Sequence, residues 1–331
     1  MEQKQTIYTA IKPTGRLHLG NYLGVGQELV KYQNNYNSLI CVADLHAMTI
    51  NQPKSEMERL TYSIFAYYLA FGLNPDKCIL YVQSHVKEHA EMGWILNNFT
   101  MMGEATRMTQ YKDHLAKGKE VNVGLLDYPV LMAGDILLYN TDIVPVGQDQ
   151  VQHVELCRNI AIRFNNKYGE TFVVPKYEVR KDGAKIMGLL NPEKKMSKSE
   201  SGEGNVIYLD DTDADIIKKV KRAVTDSEGK IYYNPDTKPG VSNLLKIYSL
   251  IKRISIQETE RFFKDANYGF LKEQVSNAII AHLQPIKEKY QQLMADPEGL
   301  RKIMKKGAVK ASKIAAEKVR QAKDALGVVS L

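Results

Sequence analysis

Four short apolar runs rich in β-branched and aromatic residues punctuate the first half of this chain: Ile7 to Ala10, Leu39 to Ala43, Ile79 to Gln83 and Phe172 to Val174. Between them lie stretches with helical spacing, among them Tyr22 to Tyr32, Glu56 to Phe71, Leu131 to Tyr139 and Gln150 to Phe164. Alternation of this kind has few solutions. Parallel strands need long crossovers, the crossovers are right-handed, and the helices then cover both faces of the sheet. The expected fold class is therefore α/β, with ligands at the carboxyl ends of the strands. Past about residue 190 the pattern becomes helical. Asp211 or Thr212 caps a basic helix (Asp213 to Ala223), and a Gly/Pro/Asn-rich loop runs from Gly229 to Gly240. Ser242 to Arg253, Ile256 to Phe263, Phe270 to Met294 (with Pro285 expected to bend it) and Ala308 to Leu326 follow. At 331 residues there is room for two domains, with a boundary near residue 190 and a last helix able to pack back on the first.

Charge is informative through its location. The formal excess is +7, and residues 301–331 hold nine Lys or Arg against two acids, so the rest of the chain is formally neutral. On a helical wheel Ala308, Ala311, Ala315, Val319, Ala322 and Leu326 form one stripe, with Lys310, Lys313 and Arg320 opposite. A helix docked by its small-residue stripe can offer the basic face to a phosphate backbone, although charged faces are also commonly just solvated. No apolar run approaches the ~20 residues a membrane span needs. The polar start Met1-Glu2-Gln3-Lys4-Gln5 leads straight into the first strand-like run, so no secretory leader is expected. Three widely spaced cysteines (Cys41, Cys78, Cys157) in apolar contexts read as reduced thiols and suggest the cytoplasm.

Two motifs carry chemistry. Lys12-Pro13-Thr14-Gly15-Arg16-Leu17-His18-Leu19-Gly20-Asn21 joins the first strand to the first helix. Strand, tight turn and helix start present backbone N–H groups to an anion, and His18 and Asn21 are spaced to face a phosphate or ribose together. By itself this is equally a βα turn with a polar cap. Far downstream, Lys194-Lys195-Met196-Ser197-Lys198-Ser199 lies in a Gly/Ser/Lys-rich segment that can aim several cations and hydroxyls at a polyphosphate, or stand as a solvated basic loop. The pair is more specific than either member. HLGN after the first strand and KMSKS after the last βα unit resemble the two signatures of class I aminoacyl-tRNA synthetases. Asp44 to Thr49, Tyr128 to Asp135, Val144 to Gln150 and Ala223 to Ser227 extend the resemblance along almost the whole chain, closest to the bacterial tryptophanyl-tRNA synthetase family.

The resemblance implies a Rossmann-like catalytic domain over residues 1–190, then the KMSKS loop and a helical tRNA (anticodon)-binding domain over 191–331. It implies ATP-dependent activation of L-tryptophan, transfer to the 2′-hydroxyl of tRNA(Trp), a homodimer bridged by tRNA, and no membrane. In this chemistry the substrate carboxylate, already ionised, attacks the α-phosphate of ATP. No general base is required, so positioning and charge stabilisation carry catalysis. Neither a Ser-His-Asp set nor a Walker A pattern is present, and neither is needed. Lys195, Lys198, His18 and Asn21 are the expected catalytic groups. ATP would be held by Lys12, Pro13, Thr14, Gly20, Gly147, Gln148, Asp149, Ile186, Met187, Met196, Ser197 and Ser199, with Mg2+ held mainly by the phosphates. Asp149 suits the ribose hydroxyls, and Ile186 and Met187 the adenine.

Asp135 is the expected specificity residue. It sits in the apolar run Val130 to Leu138, where an unpartnered carboxylate would be costly. An indole N–H only donates and a carboxylate only accepts, so the two match. Tyr8, His46, Tyr128, Met132, Val144, Val146 and Gln150 would surround the indole, as the resemblance implies. A structural Asp paired with Arg, Lys or a backbone donor is the alternative, and a tyrosine hydroxyl would also satisfy it, so a tyrosyl-tRNA synthetase of the same class is the nearest rival. Three positions depart from the family pattern: Lys12 stands for Gln, Gln148 for Glu, and His114 for a phosphate-directed Lys. Lys12 is expected to compensate for His114 by supplying the cation from the other side of ATP. A rival class is a zinc hydrolase, since His85-Val86-Lys87-Glu88-His89 matches H-x-x-E-H with both histidines on one helical face. It lacks an evident third ligand, and no protein-bound metal is expected. A non-catalytic tRNA-binding module is the third reading, and it would require vestigial KMSKS lysines.

Overall fold

The computed structural model describes residues 4–118, 120–179, 185–197 and 202–329. The chain forms two compact units. Met1–Thr14, Lys31–Arg180 and Asp296–Leu331 make the first, Gly15–Val30 and Lys181–Ala295 the second. This differs from a single division near residue 190 at both ends: the HLGN turn folds with the downstream half, and the C-terminal helix folds with the upstream half.

The first unit is built on β1 (Thr6–Ile11), β2 (Asn37–Val42), β3 (Ile79–Val82), β4 (Ile143–Val146) and β5 (Lys176–Val179), in the order β3-β2-β1-β4-β5 with every pair parallel. The order reverses between β1 and β4, which makes the carboxyl ends around them the switch point where such sheets hold ligands. Lys12 follows β1, His46 lies four residues past β2, Gln83 follows β3 and Gly147 follows β4.

Two sequence expectations need correction here. Phe172 to Val174 is no strand. The Asn165 side chain takes both backbone groups of Phe172, at 3.0 and 2.8 Å, and Pro175 has no N–H, so the ladder starts at Lys176. The strand Ile143–Val146 lies outside the four strand-like runs, and it contains Pro145. Proline is tolerated there because the β1–β4 ladder is confined to Ile7 opposite Ile143. The helix read from Leu131 starts earlier, at Val123, where the Asn122 side chain caps it through the Leu125 N–H at 2.8 Å.

The C-terminal helix Pro297–Leu326 lies across β3 and buries the predicted stripe, with Ala308, Ala311, Ala315, Val319 and Ala322 all in the core. Gly307 makes the approach possible: a Cβ there would stand 1.7 Å from the Leu80 carbonyl oxygen. No helix among the described residues is long and apolar enough to cross a membrane.

The second unit is mainly helical, with Asp213–Lys221, Pro239–Lys252, Ile256–Phe263 and Tyr268–Met294 packing around Leu244, Ile247, Phe263, Leu271, Val275 and Ile279. Pro285 lies inside one continuous 27-residue helix. The run expected as one α-helix from Tyr22 instead opens with Leu19–Asn21, passes through a π-helical turn over Tyr22–Gly26 and resumes as Gln27–Asn35.

Candidate active site

In the first unit, the carboxyl ends of the strands converge on Asp135, a residue only 1 % exposed. His46 Nε2 lies 2.6 Å from Oδ2, His89 Nδ1 lies 2.6 Å from Oδ1, and Gln83 Nε2 donates to Oδ1 at 2.7 Å. A carboxylate only accepts, so both ring nitrogens must carry protons and Gln83 must turn its amide nitrogen inward. Its Oε1 then accepts the His46 backbone N–H at 3.4 Å. Burial by itself raises the Asp135 pKa, but the charges and hydrogen bonds of His46 and His89 outweigh it and hold the group below the usual carboxylate range. The partners are thus two histidines and a glutamine, and among the described residues neither Arg, Lys nor a backbone donor takes part. Each carboxylate oxygen can accept twice, and Oδ2 carries one such bond. An acceptor position remains for a donor N–H.

Of the expected indole neighbours, His46 bonds Asp135 directly and Tyr8 feels its charge. Tyr8, on β1, stacks on Tyr139 with centroids 6.0 Å apart, and burial followed by the Asp135 charge raises its pKa. His46 meets Tyr128 edge-on at 6.1 Å. Val144 and Val146 are buried, and Met132 is partly so. From Tyr128 a polar chain continues outward. Its hydroxyl pairs with His153 Nε2 at 2.7 Å, His153 Nδ1 with Gln150 Oε1 at 3.0 Å, and Gln150 Nε2 donates to Asp149 at 2.8 Å. Gln148 and Asp149 are exposed on a short 3-10 turn, and Gly147 leaves room for the Asp149 carboxylate. Lys12 Nζ stands 5.9 Å from the Tyr128 ring centre, and burial lowers its pKa. Thr14 closes the turn after β1 on the Lys12 carbonyl at 2.8 Å, and Pro13 accepts from Gln52 at 3.4 Å. His114 is partly buried in the helix Thr109–Ala116.

The second unit brings both signatures together. Gly15, at φ 86°, turns the chain as an L side chain rarely could. Leu19 N–H then bonds the Ile207 carbonyl at 2.8 Å and Leu209 N–H the Leu17 carbonyl at 3.0 Å, an antiparallel bridge centred on His18 and Tyr208. His18 Nδ1 accepts from Asn21 N–H at 3.3 Å, and Asn21 Oδ1 accepts from His18 N–H at 3.1 Å. The two side chains therefore cap the helix reciprocally, with one polar atom of each committed to the other's backbone. Gly20 lies against the His18 ring and Ile186.

Ile186 leads into the KMSKS segment. Met196 N–H bonds the Ile186 carbonyl at 2.9 Å, Gly188 N–H the Lys194 carbonyl at 2.9 Å, and Met187 bridges Lys195. Asn243 grips Met187 through both backbone groups at 2.9 Å. This short ladder buries Met196 and leaves Lys195 exposed beside partly buried Ser197. Lys198 and Ser199 lie outside the described residues.

The H-x-x-E-H reading fails on geometry. His85 ends a 3-10 turn, Val86 is extended, and His89 belongs to the separate helix Glu88–Asn97, so the two histidines share no helical face. Both His89 nitrogens are engaged: Nδ1 by Asp135, Nε2 by the hydroxyls of Tyr139 at 2.9 Å and Tyr81 at 3.2 Å. His89, Gln83 and His153 are absent from the sequence-based site. The signal for the first two was Asp135 itself, since a carboxylate on an apolar helix must draw donors from somewhere.

Residues 1–284 match the family of tRNA synthetases class I (W and Y). The chain is 47% identical over 324 residues to the tryptophan–tRNA ligase of Oceanobacillus iheyensis, covering 98% of this chain and 99% of that one. Among solved structures, a tryptophanyl-tRNA synthetase from Mycoplasma pneumoniae superposes with a TM-score of 0.89 at 36% identity, covering 99% of each chain. The Campylobacter jejuni tryptophanyl-tRNA synthetase complexed with ADP and tryptophan gives 0.86 at 35% identity, covering 98% of this chain and 100% of that one.

Proposed function

The chain belongs to the class I tRNA synthetases of the tryptophan and tyrosine family, and on that premise we propose how its residues divide the work. The activity is that of a tryptophan–tRNA ligase: ATP and L-tryptophan give tryptophanyl-adenylate and pyrophosphate, and the tryptophanyl group passes to tRNA(Trp). The first unit supplies the amino-acid pocket, with Asp135 Oδ2 accepting the indole N–H between Tyr8, His46, Tyr128, Met132, Val144, Val146 and Gln150. Asp149, presented by Gly147 and Gln148, takes the ribose hydroxyls, and Lys12, beside Pro13 and Thr14, supplies a cation for the phosphates in place of His114. The second unit supplies the helix start at His18, Gly20 and Asn21, the adenine neighbours Ile186 and Met187, and the KMSKS segment. Lys195 and Lys198, with Met196, Ser197 and Ser199 as their frame, stabilise the charge that builds on the leaving pyrophosphate.

Mg2+ enters with the nucleotide. In this reading the ion is held mainly by phosphate oxygens. The helices of residues 191–331, with the basic C-terminal helix, serve tRNA. The working enzyme is a cytoplasmic homodimer.

The remaining acceptor on buried Asp135 is the observation that carries the specificity. Amino-acid-dependent ATP–pyrophosphate exchange tests it, run with tryptophan and with tyrosine on wild type and Asp135→Asn. Exchange with tryptophan alone, with KM for tryptophan raised roughly tenfold or more in the variant, is the expected result. Exchange driven by tyrosine would overturn the specificity, and an unchanged KM in the variant would overturn the role of Asp135.

A further inference from the structure

We infer that His89 is a positioning residue for tryptophan recognition: it occupies Asp135 Oδ1 so that Oδ2 alone is left to read the indole. This rests on the assignment of Asp135 to the amino-acid pocket. The terminal torsion of an aspartate is soft and two-fold, so an unrestrained carboxylate presents either oxygen at a broad range of angles. Here it is tied from two directions. His89 at 2.6 Å and Gln83 at 2.7 Å both donate to Oδ1, which fills its two lone pairs, while His46 at 2.6 Å is the single described donor to Oδ2. The oxygens are thereby made inequivalent.

His89 can do this because its own ring cannot turn. It is 0 % exposed, stacks on Tyr81 with centroids 5.7 Å apart at 25°, and meets Tyr139 at 5.7 Å. Its Nδ1 N–H points at the carboxylate, and Nε2 pairs with the Tyr139 and Tyr81 hydroxyls at 2.9 and 3.2 Å. Tyr81 comes from β3 and Tyr139 from just past the helix that carries Asp135, so the anchor links the sheet to that helix. His89 lies one layer away from the proposed substrate contacts and acts only through Asp135.

Two conservative variants of the full-length enzyme separate positioning from packing. In His89→Asn the amide nitrogen stands near the former Nδ1 and can still donate to Asp135, but the tyrosine contacts are lost. In His89→Gln the amide reaches the former Nε2 position, keeping the tyrosines and losing Asp135. ATP–pyrophosphate exchange is measured with tryptophan and with its benzothiophene analogue, in which sulfur replaces the indole N–H. His89→Gln is expected to raise KM for tryptophan roughly tenfold, to leave KM for ATP unchanged, and to erase most of the preference for tryptophan over the analogue. His89→Asn is expected to keep that preference. Gln83→Met, which removes the other donor to Oδ1, is expected to lower it in the same direction and serves if His89→Gln fails to fold. Retention of the preference in His89→Gln, or an equal loss in His89→Asn, overturns the inference. Retention in Asp135→Asn would instead dispose of the reading of Asp135 on which it stands.

Discussion

Asp135 remains ionised at 1 % exposure because donors reach it from the ends of two neighbouring strands, His46 past β2, Gln83 and His89 past β3. A depressed carboxyl contributes stability that is complete above its unfolded pKa, so the Asp135 contribution is lost only in strong acid, below the ordinary carboxylate range. His153 behaves differently. Burial, with smaller contributions from the His46 and Lys12 charges and against the pull of Asp149, lowers its pKa from 6.5 to about 4. Between those values the unfolded chain takes up a proton that the folded chain refuses, so stability falls as pH falls. Urea titrations at pH 7 and pH 4.5 should show an acid loss that His153→Gln reduces by up to about 3 kcal/mol. An identical loss in the variant would mean that His153 is protonated without penalty.

At the scale of elements, two short devices do more than their length suggests. The bridge between Met187 and Lys195, clamped by Asn243, fixes where the KMSKS segment begins and sets exposed Lys195 beside buried Met196. The C-terminal helix depends on one missing side chain. Its stripe of small residues reaches β3 only because Gly307 brings backbone to backbone at Leu80. Gly307→Ala should therefore destabilise the protein by about 2 kcal/mol, against the gain in helix propensity that alanine brings elsewhere, because the helix must lift off the sheet. Thermal denaturation decides it, and a raised melting temperature would refute the close approach. Buried Lys318 reaches the Thr171 carbonyl at 2.8 Å and Ser312 bonds Glu88 at 2.9 Å, so the face also carries polar anchors.

For the whole molecule, the charge of +7 is concentrated in residues 301–331, but not all of it is available to a partner. Lys306 pairs with Asp76, Arg320 with Glu317 and Asp324, Lys323 with Glu91, and Lys310 bonds the Pro75 carbonyl. Lys302, Lys305 and Lys313 are exposed and make no ion pair among the described residues. If this face meets tRNA, replacing these three with alanine weakens tRNA binding and lowers the salt slope by about 1–3. Tryptophan-dependent exchange should be unchanged, since that half-reaction needs no tRNA. Filter binding across a salt series, beside exchange on the same preparations, reads both.

Alternating apolar runs and helical spacing were enough to specify a parallel sheet, and the HLGN and KMSKS segments named the chemistry, because periodicity and motif are local properties of a chain. The Ala308 to Ala322 stripe was legible for the same reason. Phe172 misled, and Ile143–Val146 was not among the runs, because whether an extended run joins a ladder depends on its neighbours: on Asn165 occupying Phe172, and on β4 pairing β1 at Ile143. His89 and Gln83 could not be assigned because they meet Asp135 from 46 and 52 residues away. A run of residues states that a buried carboxylate needs donors. Folding alone selects which ones arrive, since that choice is made by the register of strands and the tilt of helices that no short stretch encodes.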